Sequence, residues 1–400
     1  MKAKLIQNDG YLNNKKLKQH LEVVKVLSKS DKSLTIAEIA SAIQISLPTT
    51  KNLLSQLIEQ NWVVSIGKKE TLYGRRPELF NLNYDRYYTL GILITFDRIN
   101  LIICDINLKI IHEAQSEDFK LENNQYSLDI IISFILENLN AKKLSNSQIL
   151  GIGIGITGRV NYNEGISFNY LNFMEFPLKK YLEQVFKVHV EIENDTRVLG
   201  IAESETGEAK NLNDALIVNM DMGLGMSLII NGEILTGESG FAGEFGHMKF
   251  GSKGRSCICG NYNCLETEVS GKALLLDLEE ALNSGRKSDY FKNNFGTYTY
   301  NEIINAAISG DELSIELINA QGKILGAALG NVINLLNPNT IIISGDMCTA
   351  NSIFLDPVKI GIRETVLKDY TDQVTVKLSE ANINPAIGSA CLILKIHDLL

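Results

Sequence analysis

A chain of 400 residues, 45% apolar and 21% charged, is long enough for two or three domains with cores of their own. No run approaches the roughly 18 consecutive apolar residues of a membrane span, and the opening MKAKLIQNDGYLNNKK lacks the apolar stretch of a signal peptide. The composition therefore argues against a membrane protein or an exported disulfide scaffold, and predicts a cytoplasmic protein with no membrane partner.

The net charge of −9 is unevenly spread. Residues 1–86 hold 14 Lys/Arg against 8 Asp/Glu, a balance of +6, while the rest of the chain carries −15. A small basic head on an acidic body predicts that the head alone meets a polyanion.

Three helices are predicted within residues 15–61. The first places Leu17, Leu21, Val24 and Leu27 at helical spacing. The second opens with Thr35 and Glu38 as a capping box. The third opens with Ser46 as cap and Pro48 in the first turn, where a missing N–H costs nothing. A connection of about three residues between the last two is the length of a helix-turn-helix turn.

In that motif the third helix enters the major groove, which makes Ser46, Thr49, Thr50, Lys51 and Asn52 the expected DNA-facing residues. Leu53, Leu54, Leu57 and Ile58 form the expected buried side. Two strands with Lys68, Lys69, Arg75 and Arg76 at their tip then complete a winged helix, for which double-stranded operator DNA is the expected partner. The alternative is a small helical interaction domain whose lysines form a solvated face.

Beyond residue 87 strands alternate with helices. YYTLGILITF, RINLIICDI and KIIHEAQSE read as three successive strands, SLDIIISFILENLNAK as an amphipathic helix, and ILGIGIGITGRV as a buried strand. DALIVNMDMGLGMSLIINGEIL repeats the strand-turn-strand theme about 125 residues later, which predicts a duplicated α/β body with a cleft between two lobes.

Three cysteines, Cys257, Cys259 and Cys264, crowd into CICGNYNCLE, whereas Cys104, Cys348 and Cys391 are scattered in apolar surroundings as core residues. In a reducing compartment such a knot points to metal more than to disulfides. His247, ten residues upstream, is the nearest of the five histidines. Three reduced core thiols beside an unrelated histidine are the alternative.

Taken together and in order, GIGIGITGRV, EIENDTRVLG, FAGEFGHMKF and CICGNYNCLE resemble the ROK family (repressor, open reading frame, kinase), and the winged helix in front resembles its transcription-factor branch. The resemblance implies an actin-like, ribonuclease-H-like two-lobed α/β fold. The expected domains are 1–86 (winged helix-turn-helix), 87–210 (small lobe) and 211–400 (large lobe with the zinc site), with the C-terminal helix free to return to the small lobe. It implies one structural zinc ion per chain on His247, Cys257, Cys259 and Cys264, and a sugar held by Glu244, His247 and Glu266. Carboxylates and imidazole suit sugar hydroxyls, each of which both donates and accepts.

By the same resemblance Asn194 binds the ring, Asp195 matches the family's catalytic base, and Asn169 matches a further sugar contact. The phosphate-binding elements depart from the family. GILITFDRI puts Leu93, Thr95, Phe96 and Asp97 where the kinases carry Asp-x-Gly-Gly-Thr-Lys, Asp221 and Met222 precede Gly223 in the second loop, and Ser344-Gly345-Asp346 replaces a Gly-Gly pair. A cradle of backbone N–H groups cannot close around anions there.

The expected function is thus a sugar-responsive regulator, acting as a repressor of a carbohydrate-use operon and no longer an enzyme. It would bind DNA as a homodimer or homotetramer and release it when a sugar or sugar phosphate sits between the lobes. The rivals are an ATP-dependent sugar kinase with an added DNA-binding domain and a regulator controlled by a protein partner.

Overall fold

The computed structural model describes residues 14–30, 32–68, 76–291, 298–370, 373–379, 383–397 and 399. The chain divides into two units, Met1–Asp195 with Ala386–Leu400, and Thr196–Pro385.

The head of the first unit contains α1 (Asn14–Ser28), β1 (Leu34–Thr35), α2 (Ile36–Ala42), α3 (Leu47–Glu59), β2 (Val63–Lys68) and β3 (Glu78–Leu82). Its helices α2 and α3 start where side-chain caps relieve their orphan N–H groups. Thr35 and Glu38 form the reciprocal capping box, and the Ser46 hydroxyl accepts from Thr49 N. The three strands lie antiparallel in the order β1-β3-β2, the arrangement of a winged helix.

Two sequence expectations fail on α3. Thr50 is fully buried and its hydroxyl donates to Ser46 O at 3.1 Å, so it faces the core and not DNA. The reason is its phase: Thr50 stands three, four and seven residues before Leu53, Leu54 and Leu57, on the same stripe. Ile58, expected on that stripe, is one step past Leu57 and 37% exposed. Lys69 and Arg75 lie outside the described residues, as do Gly74 and the side chain of Leu17.

The body of the first unit runs β4 (Tyr88–Ile94), β5 (Ile99–Asp105), β6 (Ile110–Gln115), α4 (Gln125–Ala141), β7 (Ile149–Ile156), a small hairpin of β8 (Val160–Asn161) and β9 (Ile166–Ser167), α5 (Leu178–Phe186) and β10 (Val190–Asn194). The sheet order is β10-β7-β4-β5-β6, antiparallel through β4, β5 and β6 and parallel through β4, β7 and β10.

The chain enters the second unit within α6 (Asp195–Thr206) and repeats the plan. There β11 (Ala215–Met220), β12 (Leu224–Ile230) and β13 (Glu233–Ile234) form the antiparallel part. After α7 (Gly271–Asn283), α8 (Tyr300–Ile308) and α9 (Glu312–Leu336), β14 (Thr340–Ser344), α10 (Ser352–Thr365) and β15 (Thr375–Leu378) extend the sheet in parallel, in the order β13-β12-β11-β14-β15. The duplicated α/β body is therefore present, strand for strand.

The last helix, α11 (Ala386–Ile396), lies on the first unit's sheet. Gly91 and Gly153 are register partners on β4 and β7, and a Cβ on either would meet Ala386 O at 1.9 Å or Ser389 O at 1.7 Å. Ser389 also donates to Ile92 O at 2.8 Å. The far end of α11 sends Ile393 and Leu394 into the core shared by Val24, Leu54, Trp62 and Val63 of the head. Cys104 and Cys391 are fully buried and Cys348 packs against the second unit's core, as expected of structural thiols. No helix among the described residues is long and apolar enough to cross a membrane.

Candidate metal centre and sugar-binding residues

His247 ends a 3-10 turn, Phe245–His247, that lies flat on β12. Gly246 makes this possible, since a Cβ there would sit 2.2 Å from Leu224 O. Downstream, Cys257 N donates to Asn261 O and Gly260 N to Cys257 O, closing a tight turn that brings Cys257 and Cys259 together. A further bond from Leu265 N to Met248 O ties Cys264 beside the segment that follows the histidine.

The result is a four-ligand group: one donor atom each from His247, Cys257, Cys259 and Cys264, all within 4.8 Å of one another. His247 Nδ1 lies 3.5 Å from Cys257 Sγ, and Cys259 Sγ lies 3.6 Å from Cys264 Sγ. Thiolates and an imidazole nitrogen on one tetrahedral zinc ion stand about 3.5–3.8 Å apart, so these residues fit such an ion. Burial, with the neighbouring thiols and Glu266, pushes Cys257 up to about 12, a thiol that a bound cation would have to deprotonate.

The Nε2 side of His247 turns to Glu244, at 3.6 Å from its carboxylate. Glu266 lies 3.9 Å from Cys257 Sγ through one oxygen and accepts from Leu224 N through the other. The two half-buried carboxylates thus flank the metal knot, and each side chain here is placed by the turn that carries a ligand. Two nearby basic residues are engaged: Arg255 pairs with Asp277 and Glu280, and Lys253 with Asp277.

The other three sugar candidates form their own group in the first unit. Asn194 Nδ2 donates to Asp195 Oδ1 at 2.8 Å and to Gly158 O at 2.9 Å. Asn169 Oδ1 accepts from Arg159 N at 2.9 Å, just past the turn at Gly158. Asn169, whose surroundings matched the family only loosely, is therefore held one residue along the same turn that holds Asn194. Arg159 belongs to this group and was missed, because nothing in GITGRV marks its arginine beyond a side chain following a glycine.

The departures from the phosphate-binding pattern also have a structure. Thr95 N donates to Arg98 O, closing the β4–β5 turn, and Asp97 is gripped by Arg98 and by the Thr95 hydroxyl. Phe96 sits edge-on to Tyr170 with ring centroids 5.9 Å apart. In the second unit the Tyr300 hydroxyl is pushed well above its ordinary range by burial and by the charges of Asp221 and Asp346. Two carboxylates thus share the neighbourhood of the altered second and third elements.

Comparison with known proteins matches the ROK family model to residues 89–396 and an IclR helix-turn-helix domain to residues 20–66. A xylose repressor from Bacillus spizizenii is 28% identical over 383 residues, covering 95% of this chain and 96% of the relative. A crystal structure described as a ROK family transcriptional regulator, a homologue of the Escherichia coli MLC protein, superimposes with a TM-score of 0.79 at 23% identity, over 96% of this chain and 98% of that one. A ROK family glucokinase from Streptomyces griseus, solved with glucose and AMPPNP, gives 0.65 at 22% identity over 76% of this chain and 98% of the enzyme. The kinase likeness concerns the fold, whereas the regulator likeness spans head and body together. From β4 to its last helix, with a helix-turn-helix domain in front, this chain belongs to the ROK family.

Proposed function

We propose that this chain is a sugar-responsive DNA-binding repressor of genes for carbohydrate use, acting as a homo-oligomer on operator DNA. The observation that carries the reading is the joining, in one chain, of a helix-turn-helix head to a ROK body with a zinc-ready knot flanked by Glu244 and Glu266. The Bacillus spizizenii relative, named a xylose repressor, has the same extent. On the head, Ser46, Thr49, Lys51 and Asn52 are exposed along the start of α3, with Lys68 and Arg76 exposed at the wing's described ends; these are the proposed DNA contacts.

The knot is proposed to hold one zinc ion through His247, Cys257, Cys259 and Cys264. The ion would be structural, fixing the orientation of the imidazole and its flanking carboxylates. The sugar contacts are proposed to be Glu244, His247 and Glu266, together with Asn169, Asn194 and Asp195 of the first unit's cluster. An effector releases DNA only by binding one form of the protein better than another; a hundredfold preference corresponds to about 2.7 kcal/mol.

Kinase activity is proposed to be lost. Support comes from the closed Phe96–Asp97 turn and from Asp221 and Asp346, whose charges disfavour a polyphosphate. Asp195 then serves as a ligand contact. The rival reading, a kinase with an added DNA-binding domain, draws on the retention of Asp195, and ATP-dependent phosphorylation of any hexose would establish it.

The test is fluorescence anisotropy of labelled DNA from upstream of the chain's own gene and of neighbouring sugar-use genes, with and without a panel of sugars. Release by one of them is expected; unchanged affinity under saturating amounts of every one would overturn the reading. In the same assay Lys51→Ala should weaken binding on all sequences and reduce the salt slope by about one. Thr50→Ala should leave that slope unchanged, because its hydroxyl faces the core.

A further inference from the structure

Among the six residues assigned to sugar recognition there are three carboxylates and no fixed cation, a set suited to neutral hydroxyls. Arg159 alters that balance. Its backbone N–H donates to Asn169 Oδ1 at 2.9 Å, and its Nε lies 3.4 Å from the same oxygen. The guanidinium is therefore folded back over Asn169, beside the turn whose Gly158 carbonyl accepts from Asn194.

Three other arginines of the chain pair with acids: Arg98 with Asp97, Arg255 with Asp277 and Glu280, and Arg286 with Glu316. Arg159 is half-buried, and among the described residues no carboxylate pairs with it. In the same cluster Asp195 Oδ1 accepts from Asn194 Nδ2. A guanidinium has five N–H donors in a rigid fork; with Nε turned to Asn169, the terminal pair remains to match two oxygens of an anion.

We infer that Arg159 selects an effector carrying an anionic group, a sugar phosphate or a sugar carboxylate, over the corresponding neutral sugar. The inference depends on the reading that Asn169, Asn194 and Asp195 contact a sugar. It adds the chemical class of that sugar and the residue that reads it. The asparagines and Asp195 would take ring hydroxyls, while Arg159 takes the two oxygens of the phosphate or carboxylate.

The experiment is isothermal titration calorimetry on the full chain, with glucose, N-acetylglucosamine and xylose as neutral probes. Glucose 6-phosphate, N-acetylglucosamine 6-phosphate and glucuronate are the anionic probes, and inorganic phosphate is a control. Each is repeated on Arg159→Gln and Arg159→Lys, with metal content and near-ultraviolet circular dichroism checking that the variants are folded. The wild type should bind an anionic probe at least about tenfold more tightly than its neutral counterpart, the scale of one charge-assisted contact.

Arg159→Gln should erase that preference, and Arg159→Lys should restore part of it, since the point charge survives without the fork. The phosphate and glucuronate arms tell which anion is read. Equal binding of neutral and anionic probes by the wild type, or a preference that survives in Arg159→Gln, overturns the inference and leaves the sugar reading standing. Binding of no sugar of either kind overturns both.

Discussion

Cys264→Ser is expected to strip the chain of stoichiometric metal and to abolish its response to sugar while sparing DNA binding. Cys264 is the fully buried member of the knot, with its sulfur 3.6 Å from that of Cys259. A serine hydroxyl is a poor zinc ligand, so three donors would remain on an ion that a structural site holds with four. Structural zinc sites are worth about 10–16 kcal/mol of apparent binding free energy in small peptides at neutral pH. Here the proposed ion would tie one segment, from Glu244 to Glu266, within a unit that has a large core of its own. The expected loss of folding stability is therefore smaller, about 3–5 kcal/mol.

The sharper consequence is positional. Glu244 and Glu266 are placed by the turns that carry His247 and Cys264, so freeing those turns scatters the carboxylates. Metal analysis, thermal unfolding and limited proteolysis between residues 247 and 264 would measure the three effects. The head's core, built from Val24, Leu54, Trp62 and their neighbours, contains no residue of the knot, and operator affinity without sugar should hold. A variant that keeps one zinc per chain, or that loses it with an unaltered sugar response, would refute the assignment.

Gly153→Ala should destabilise the protein by about 3 kcal/mol or more, a large effect for one methyl group. The added Cβ would stand 1.7 Å from Ser389 O and 2.6 Å from its carbonyl carbon, both backbone atoms of α11 that no rotamer change can move. Either β7 bends or α11 lifts from the sheet. Lifting exposes Ala386, Ala390, Cys391, Ile393 and Leu394, all of them buried. Ser389→Ala is the control: it removes only the hydrogen bond to Ile92 O, worth about 1 kcal/mol, and leaves the helix seated.

Urea unfolding should rank Gly153→Ala well below Ser389→Ala. Because Ile393 and Leu394 also pack with Trp62 and Val63, Gly153→Ala should in addition weaken operator binding, although it lies in the body. Equal stability of the two variants would mean that the helix does not sit as described.

Local rules carried the reading of the sequence a long way. The caps at Thr35 and Ser46, the apolar runs that mark β4 and β5, and the strand-turn-strand repeat all depend on residues within one turn or hairpin of each other, and all have their counterparts in the structure. The four metal-ready donors span only residues 247–264, so their spacing and chemistry were visible together. The burial of Thr50 is legible in the same way, from its helical phase with Leu53, Leu54 and Leu57.

What the linear chain could not reveal were contacts between segments far apart. The glycines of GIGIGIG read as a buried strand, but only the folded chain shows that Gly153 is small because a helix beginning at Ala386 lies against it. Likewise, Arg159 acquires a role only through Asn169, brought back across the β8–β9 hairpin. Periodicity and capping are properties of neighbours, governed by backbone geometry. The seat of a helix on a sheet is decided by steric fit between surfaces that meet only once the chain has folded, and no local pattern encodes which surface that will be.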